Sequence, residues 1–166
     1  HGRLSGRGPD RRNRTGPNSM IPTLRHSTAE LWSKLPSDLP KPPAGKKAGF
    51  LEGPSVDRDG NLLCVDIQAG RVYRISPAKK WEIVVEYDGT PNGLKLHKDG
   101  RAFIADRKNG LMVLDTKTGA IECLLSGPKA GAKFKGLNDL HFAANGDFVG
   151  RKQHASDREQ GECELA

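Results

Sequence analysis

From Phe50 onward the apolar residues come in short runs separated by turn dipeptides. Leu62–Val65, Val72–Ile75, Ile83–Val85, Ala102–Ala105, Leu111–Leu114 and Ile121–Leu125 are each of strand length, and none is long enough for a stable helix. Between and beyond them stand Asp59-Gly60, Asp88-Gly89, Asp99-Gly100, Asn109-Gly110 and Asn145-Gly146. Such pairs turn a hairpin because Asn, Asp and Gly tolerate the positive φ a tight turn needs. The pattern predicts an all-β body from residue 50. Upstream the texture differs. Ser27 is followed three positions later by Glu30, the spacing of a capping box, and Leu31, Trp32 and Leu35 would share one helical face. This predicts a short helix ended by Pro36. The stretch PSDLPKPPAGKKAG that follows reads as a linker, because its prolines and glycines interrupt regular structure.

The strand runs repeat. When EGPSVDRDGNLLCVD, from Glu52, is laid over NGLKLHKDGRAFIAD, from Asn92, Asp59-Gly60 falls on Asp99-Gly100, Asp66 on Asp106 and Gly70 on Gly110, all at an offset of 40 residues. A third copy, NDLHFAANGDFV, starts at Asn138, 46 residues after Asn92. A period near forty with four strands per unit predicts the sheets of a β-propeller, whose first strand in each unit lies next to the axis. Glu52, Asn92 and Asn138 hold the same place at the start of that strand and so converge on the central channel. One carboxylate and two amide oxygens form a hard donor set suited to Ca²⁺ or Mg²⁺. The same letters also read as ordinary turns leading into strands.

Charge and composition narrow the function classes. The net charge of +7 invites a nucleic-acid reading, but residues 1–48 hold ten Lys/Arg against three Asp/Glu, while residues 49–166 hold seventeen of each. The repeat region is neutral and has no electrostatic footprint for phosphates, so nucleic acid is not the expected partner. No apolar run approaches the roughly 18 to 20 residues that cross a bilayer. No apolar core of a signal peptide precedes the body, so a cytoplasmic protein without membrane association is expected. Cys64, Cys123 and Cys163 have no short spacing, and Cys64 and Cys123 lie in apolar runs. Buried structural thiols are expected there, in a reducing compartment.

At three places the letters become specific. FLEGP (Phe50–Pro54), PNGL (Pro91–Leu94) and GLNDL (Gly136–Leu140), with NGDF after it, stand in order at the spacing of the repeat. In these the chain resembles the senescence-marker-protein/gluconolactonase/luciferin-regenerating-enzyme-like family over about residues 50–149. The resemblance implies a six-bladed β-propeller with a divalent cation in its channel, Ca²⁺ first and Mg²⁺ or Zn²⁺ as alternatives. It implies Glu52 and Asn138 as metal ligands and Asn92 as a ligand or substrate contact. The implied reaction is hydrolysis of a lactone ring or related ester, the cation acting as a Lewis acid. In the family a further Asp, the base or nucleophile, comes from a later blade, so no catalytic residue is assigned within this chain.

The expected organisation is therefore a disordered basic extension with a short helix and Pro-rich linker over 1–49, a partial propeller of about two and a half blades over 50–149, and a divergent, unstructured tail over 150–166. The opening HGRLSGRGPDRRNRTGPNS reads as upstream sequence before a start at Met20, and GRKQHASDREQGECELA shows no strand pattern. A metal-dependent lactonase truncated in this way is expected to have little or no activity. His97 and His141 are expected to be half-buried or rim histidines, Arg101 to be solvated, and Asp66 and Asp106 to cap turns. Two rival readings remain: a non-catalytic, NHL-like propeller that serves as an interaction module, and a basic-arm nucleic-acid binder resting on residues 1–19.

Overall fold

The computed structural model describes residues 28–127, 133–134, 136–145, 147–152 and 163–165. The chain divides into two compact units, residues 1–32 and 33–166, and the account below concerns the second. All regular structure among the described residues is β. The first sheet holds β1 (Leu51–Val56), β2 (Leu62–Asp66), β3 (Arg71–Ile75) and β4 (Trp81–Glu86) in chain order. The second repeats it with β5 (Pro91–Leu96), β6 (Arg101–Asp106), β7 (Gly110–Asp115) and β8 (Ile121–Leu125). In the third, β9 (Leu137–Phe142) pairs with β10 (Phe148–Lys152), and β10 with β11 (Cys163–Leu165). Neighbouring strands are antiparallel in all three sheets.

The sheets stack face to face through two apolar layers. Leu63, Val65 and Val72 of the first sheet meet Leu94, Ala102, Ile104, Met112 and Leu114 of the second. On the other side, Phe103, Ala105, Leu111 and Val113 meet Leu137 and Leu140 of the third. Strand β6 thus sends Ala102 and Ile104 one way and Phe103 and Ala105 the other. Both its faces are covered, which is why it reads as a continuous apolar run rather than an alternation.

Four expectations are corrected. Residues 28–36 form no helix, and Leu31 and Trp32 are exposed; Ser27, the expected cap, lies outside the described residues. A helix of two turns has little to offset its nucleation cost, and tertiary contacts claim the segment instead. Leu35 and Leu39 pack against the buried cluster of Cys64, Tyr73 and Ile75, and Trp81 Nε1 donates to Ser33 Oγ at 2.9 Å.

The linker has no strand or helix, yet it is fastened rather than disordered. Arg71, 2% exposed, donates to the carbonyls of Pro40 and Lys41 at 2.8 and 2.9 Å, and its Nε pairs with Glu86 at 2.6 Å. The chain beyond residue 149 is not without strands, because β10 runs to Lys152 and β11 follows at Cys163–Leu165. Backbone pairing with β9 holds β10 without the apolar alternation that a sequence pattern detects. Residues 153–162, like residues 1–27, lie outside the described residues. Finally, Cys64 is buried but Cys123 is exposed, because it sits on β8, the outer edge of its sheet. Burial, with the Asp66 charge nearby, pushes the Cys64 thiol up to about 12.

Candidate functional site

The first strands of the three sheets, β1, β5 and β9, lie side by side, brought close by two glycines. A β-carbon on Gly53 would stand 2.5 Å from the Leu94 amide nitrogen and 2.9 Å from the Asn92 carbonyl oxygen. One on Gly93 would stand 2.5 Å from Asp139 Oδ1 and 3.0 Å from the Asn138 carbonyl oxygen. Only a residue without a side chain lets these backbones approach so closely. Across the first gap, Ser55 Oγ donates to the Leu94 carbonyl at 3.0 Å. The Glu52-Gly53, Asn92-Gly93 and Asn138-Asp139 pairs are therefore neighbours in space, although 40 and 46 residues separate them in sequence.

Each of these strands carries a register break at this point. In β5, Pro91 faces Asp106 and Gly93 faces Ala105, which leaves Asn92 as the extra residue. In β9, Leu137 faces Lys152 and Asp139 faces Arg151, which leaves Asn138 as the extra residue. In β1 the break falls immediately after Glu52, where Gly53 and Pro54 together oppose one residue, Cys64. A bulge removes a residue from the ladder and re-aims its side chain, and bulges gather beside active sites. Asn92 is 7% exposed, Asn138 half-buried and Glu52 exposed. Their neighbours are engaged elsewhere: Asp139 Oδ1 accepts from its own Leu140 amide at 2.8 Å and lies 4.0 Å from Lys95 Nζ. Among the described residues, no side-chain hydrogen bond engages Glu52, Asn92 or Asn138.

The chemistry of this donor set fits a hard divalent cation. It offers one carboxylate and two amide carbonyls that no described partner consumes, on strands held in contact. It contains only one acid, so it differs from a site built on several acidic or imidazole ligands. Among the described residues no group of three or more His, Cys, Asp or Glu side chains gathers to hold a metal.

The remaining sequence candidates fall into structural roles. His97 stacks against Phe103 and Phe142 with ring centroids 6.0 and 5.4 Å apart, and its Nδ1 lies 2.9 Å from Asp99 Oδ1. It follows the far end of β5 from Asn92, and His141 is exposed. Arg101 is exposed and pairs with Asp99 at 2.8 Å. This contact, with the His97 contact, holds the Asp99 carboxyl well below the usual carboxylate range.

Asp66 and Asp106 are fully buried and cap turns as expected. Asp66 Oδ1 accepts the amides of Gln68 and Ala69, both at 3.2 Å, and Asp106 Oδ1 those of Lys108 and Asn109, both at 2.8 Å. Sequence reading did not single out Asp139, although it directly follows Asn138 and lies over Gly93. The signal was present in the Asn-Asp pair, but nothing in the spacing shows that a glycine 46 residues earlier leaves room for it.

Residues 50–164 match the family described as the SMP-30/Gluconolactonase/LRE-like region. The lactonase drp35 of Staphylococcus aureus (strain USA300) is 35% identical over 95 residues, which cover 52% of this chain and 26% of the relative. The chain thus spans about a quarter of the length of the curated relatives it matches. Among solved structures, a gluconolactonase from Xanthomonas campestris superposes with a TM-score of 0.57 at 20% identity, over 63% of this chain and 35% of that one. A protein of unknown function from Bacteroides caccae does so with a TM-score of 0.56 at 18% identity, over 66% and 41%. At such identities the likeness is one of fold, and the fold is that of a β-propeller. The described residues supply two four-stranded sheets of it and three strands of a third.

Proposed function

We propose, from the premise that this chain belongs to the SMP-30/Gluconolactonase/LRE-like family, that β1, β5 and β9 form the cation-holding wall of a lactone-hydrolysing site. The close approach of the three first strands at Gly53 and Gly93 carries this reading. A register break falls on or beside Glu52, Asn92 and Asn138 at that approach in all three sheets, and a bulge there re-aims a side chain. The lactonase named among the relatives supports the reaction class and, for the substrate, a small cyclic ester.

Glu52 would supply the negative charge that holds the cation, with the side-chain carbonyls of Asn92 and Asn138 completing the wall. When bound, the cation supplies Lewis acidity at the ester carbonyl. Ca²⁺ suits the donor set best, because its coordination tolerates the unequal reach of a carboxylate and two amides better than the octahedral demand of Mg²⁺ or the nitrogen and sulfur preference of Zn²⁺. Asn92, least exposed of the three, has an N–H₂ that can orient the substrate's ring oxygens. None of these residues is a free base. Glu52 is committed to the cation and the two amides do not titrate, so proton removal from the attacking water falls outside this set.

Calorimetric titration of the 166-residue chain with calcium tests the proposal. Saturable binding that Glu52→Gln weakens at least tenfold is the expected result. The same polypeptide is expected to open no lactone above the buffer rate in a pH-stat. Calcium binding indifferent to Glu52→Gln and Asn92→Ala would favour the NHL-like interaction module instead. Among the described residues, no helix is long and apolar enough to cross a membrane.

A further inference from the structure

The two buried aspartates make a second set of contacts that turn capping does not require. Asp66 spends Oδ1 on the turn after β2 and turns Oδ2 to the Gly49 amide at 2.7 Å and the Tyr73 hydroxyl at 3.4 Å. Asp106 spends Oδ1 on the turn after β6 and turns Oδ2 to the Thr90 amide at 2.8 Å and the Tyr87 hydroxyl at 2.8 Å. Gly49 lies three residues before Glu52, and Thr90 two before Asn92. The two tyrosines come from different places in the repeat, Tyr73 from β3 and Tyr87 from the chain just beyond β4, yet each hydroxyl ends on the same oxygen.

Backbone bonds close the same junctions, with Ile67 N donating to Phe50 O and Arg107 N to Thr90 O, both at 3.0 Å. At the second junction Gly89 leaves room, since a β-carbon there would stand 2.4 Å from Asp106 Oδ2.

We infer that Asp66 and Asp106 are positioning residues for the candidate ligands: each uses one carboxylate oxygen to hold its own turn and the other to fix where the site-bearing first strand of its own sheet begins. This inference rests on the reading of Glu52, Asn92 and Asn138 as cation ligands. The two oxygens separate the structural task from the positioning task. Asn92, the bulged residue of β5, has no ladder partner to fix it, so its aim depends on how the strand enters the bulge, and Glu52 is the last paired residue before the break in β1. In β5 only Pro91, which has no N–H, stands between the tethered Thr90 and Asn92.

Asp106→Asn separates the tasks experimentally. The turn needs two acceptor contacts on one oxygen, so the amide carbonyl stays there, and the N–H₂ then faces the Thr90 N–H, donor against donor. The Tyr87 hydroxyl can accept from that N–H₂, which leaves the Thr90 tether as the bond lost. In the full 166-residue chain, calcium affinity by calorimetry is expected to fall at least tenfold. Amide exchange at residues 90–94 is expected to quicken while Lys108 and Asn109 stay protected. Ile104→Val, a core truncation away from the site, is expected to lower the melting temperature without changing calcium affinity. Asp66→Asn makes the same test on Glu52 if Asp106→Asn does not fold.

Wild-type calcium affinity in both aspartate variants would overturn the inference while leaving the ligand reading intact. So would an equal loss of affinity in Ile104→Val, which would mark a general effect of stability. Calcium binding that is absent from the wild-type chain, or untouched by Glu52→Gln, would overturn the ligand reading and the inference together.

Discussion

In the first two sheets a buried aspartate faces the residue just before the candidate ligand: Asp66 opposite Leu51, and Asp106 opposite Pro91. In the third sheet the register puts Lys152 opposite Leu137, one residue before Asn138. The residue before the candidate ligand has a backbone partner in all three, and the chemistry of that partner differs. A carboxylate at this place can accept from its own turn and from the preceding segment at once, whereas a lysine has no acceptor to offer either. Pairing between first and second strands thus does not need the aspartate, which in the first two sheets serves its own turn and the segment leading into β1 or β5.

The comparison can be broken most sharply at the glycines. Gly53 combines a φ of +59° with backbone atoms 2.5 Å from where a β-carbon would stand. Gly53→Ala should therefore cost about 3 kcal/mol or more, from a left-handed conformation and a contact that backbone cannot relieve. Gly93→Ala meets Asp139 Oδ1 and Cα and should loosen the third sheet from the second. Urea unfolding followed by tryptophan fluorescence reads the first, and hydrogen exchange in β9 and β10 the second. If both substitutions are neutral, the close approach of the three strands is wrong.

Asp66→Ala ranks next. It strips acceptors from the part-buried amides of Gly49 and Gln68 and the buried amide of Ala69 and should cost about 1 to 2 kcal/mol, since an unsatisfied buried donor costs on the order of 1 kcal/mol or more while an exposed one turns to water. Lys152→Ala at the matching place should change the urea midpoint little.

The smallest effect concerns acid. Burial pushes the Asp57 carboxyl up, but hydrogen bonds from the Asn61 side chain and from the Asn61 and Asp59 amides outweigh it and hold the group below the usual carboxylate range. A carboxyl lowered in the folded state contributes stability that is present above its unfolded value and is lost as pH falls through the folded one. The first hairpin should therefore weaken below about pH 4, and Asp57→Asn should flatten that part of the melting-temperature profile. An unchanged acid slope in the variant would remove Asp57 from the account.

Much of this architecture was legible in the letters. The forty-residue offset aligned Asp59-Gly60 with Asp99-Gly100 and Asp66 with Asp106, and β2 to β4 and β6 to β8 fall where the apolar runs lie, because hairpin turns and period-two or fully buried runs are local properties. The candidate site was legible only as three equivalent positions. That Asn92 and Asn138 are the extra residues of bulges depends on hydrogen bonds to another strand, and no spacing rule reports a register break. The helix expected from Ser27 failed for the complementary reason. Its capping spacing is local, but Leu35, Leu39 and Ser33 find partners on β3 and β4 that no short helix could match.

Local chemistry in the sequence was thus sufficient to determine the repeat, the turn chemistry, the all-β character and the family. The tertiary structure decided which oxygen of Asp66 and Asp106 faces which donor, how closely Gly53 and Gly93 let the inner strands approach, and what covers the outer face of the first sheet. Those features depend on atoms about sixteen to forty-six residues apart being within hydrogen-bonding distance or in contact, and a linear pattern carries no information about such distances until the sheets have packed.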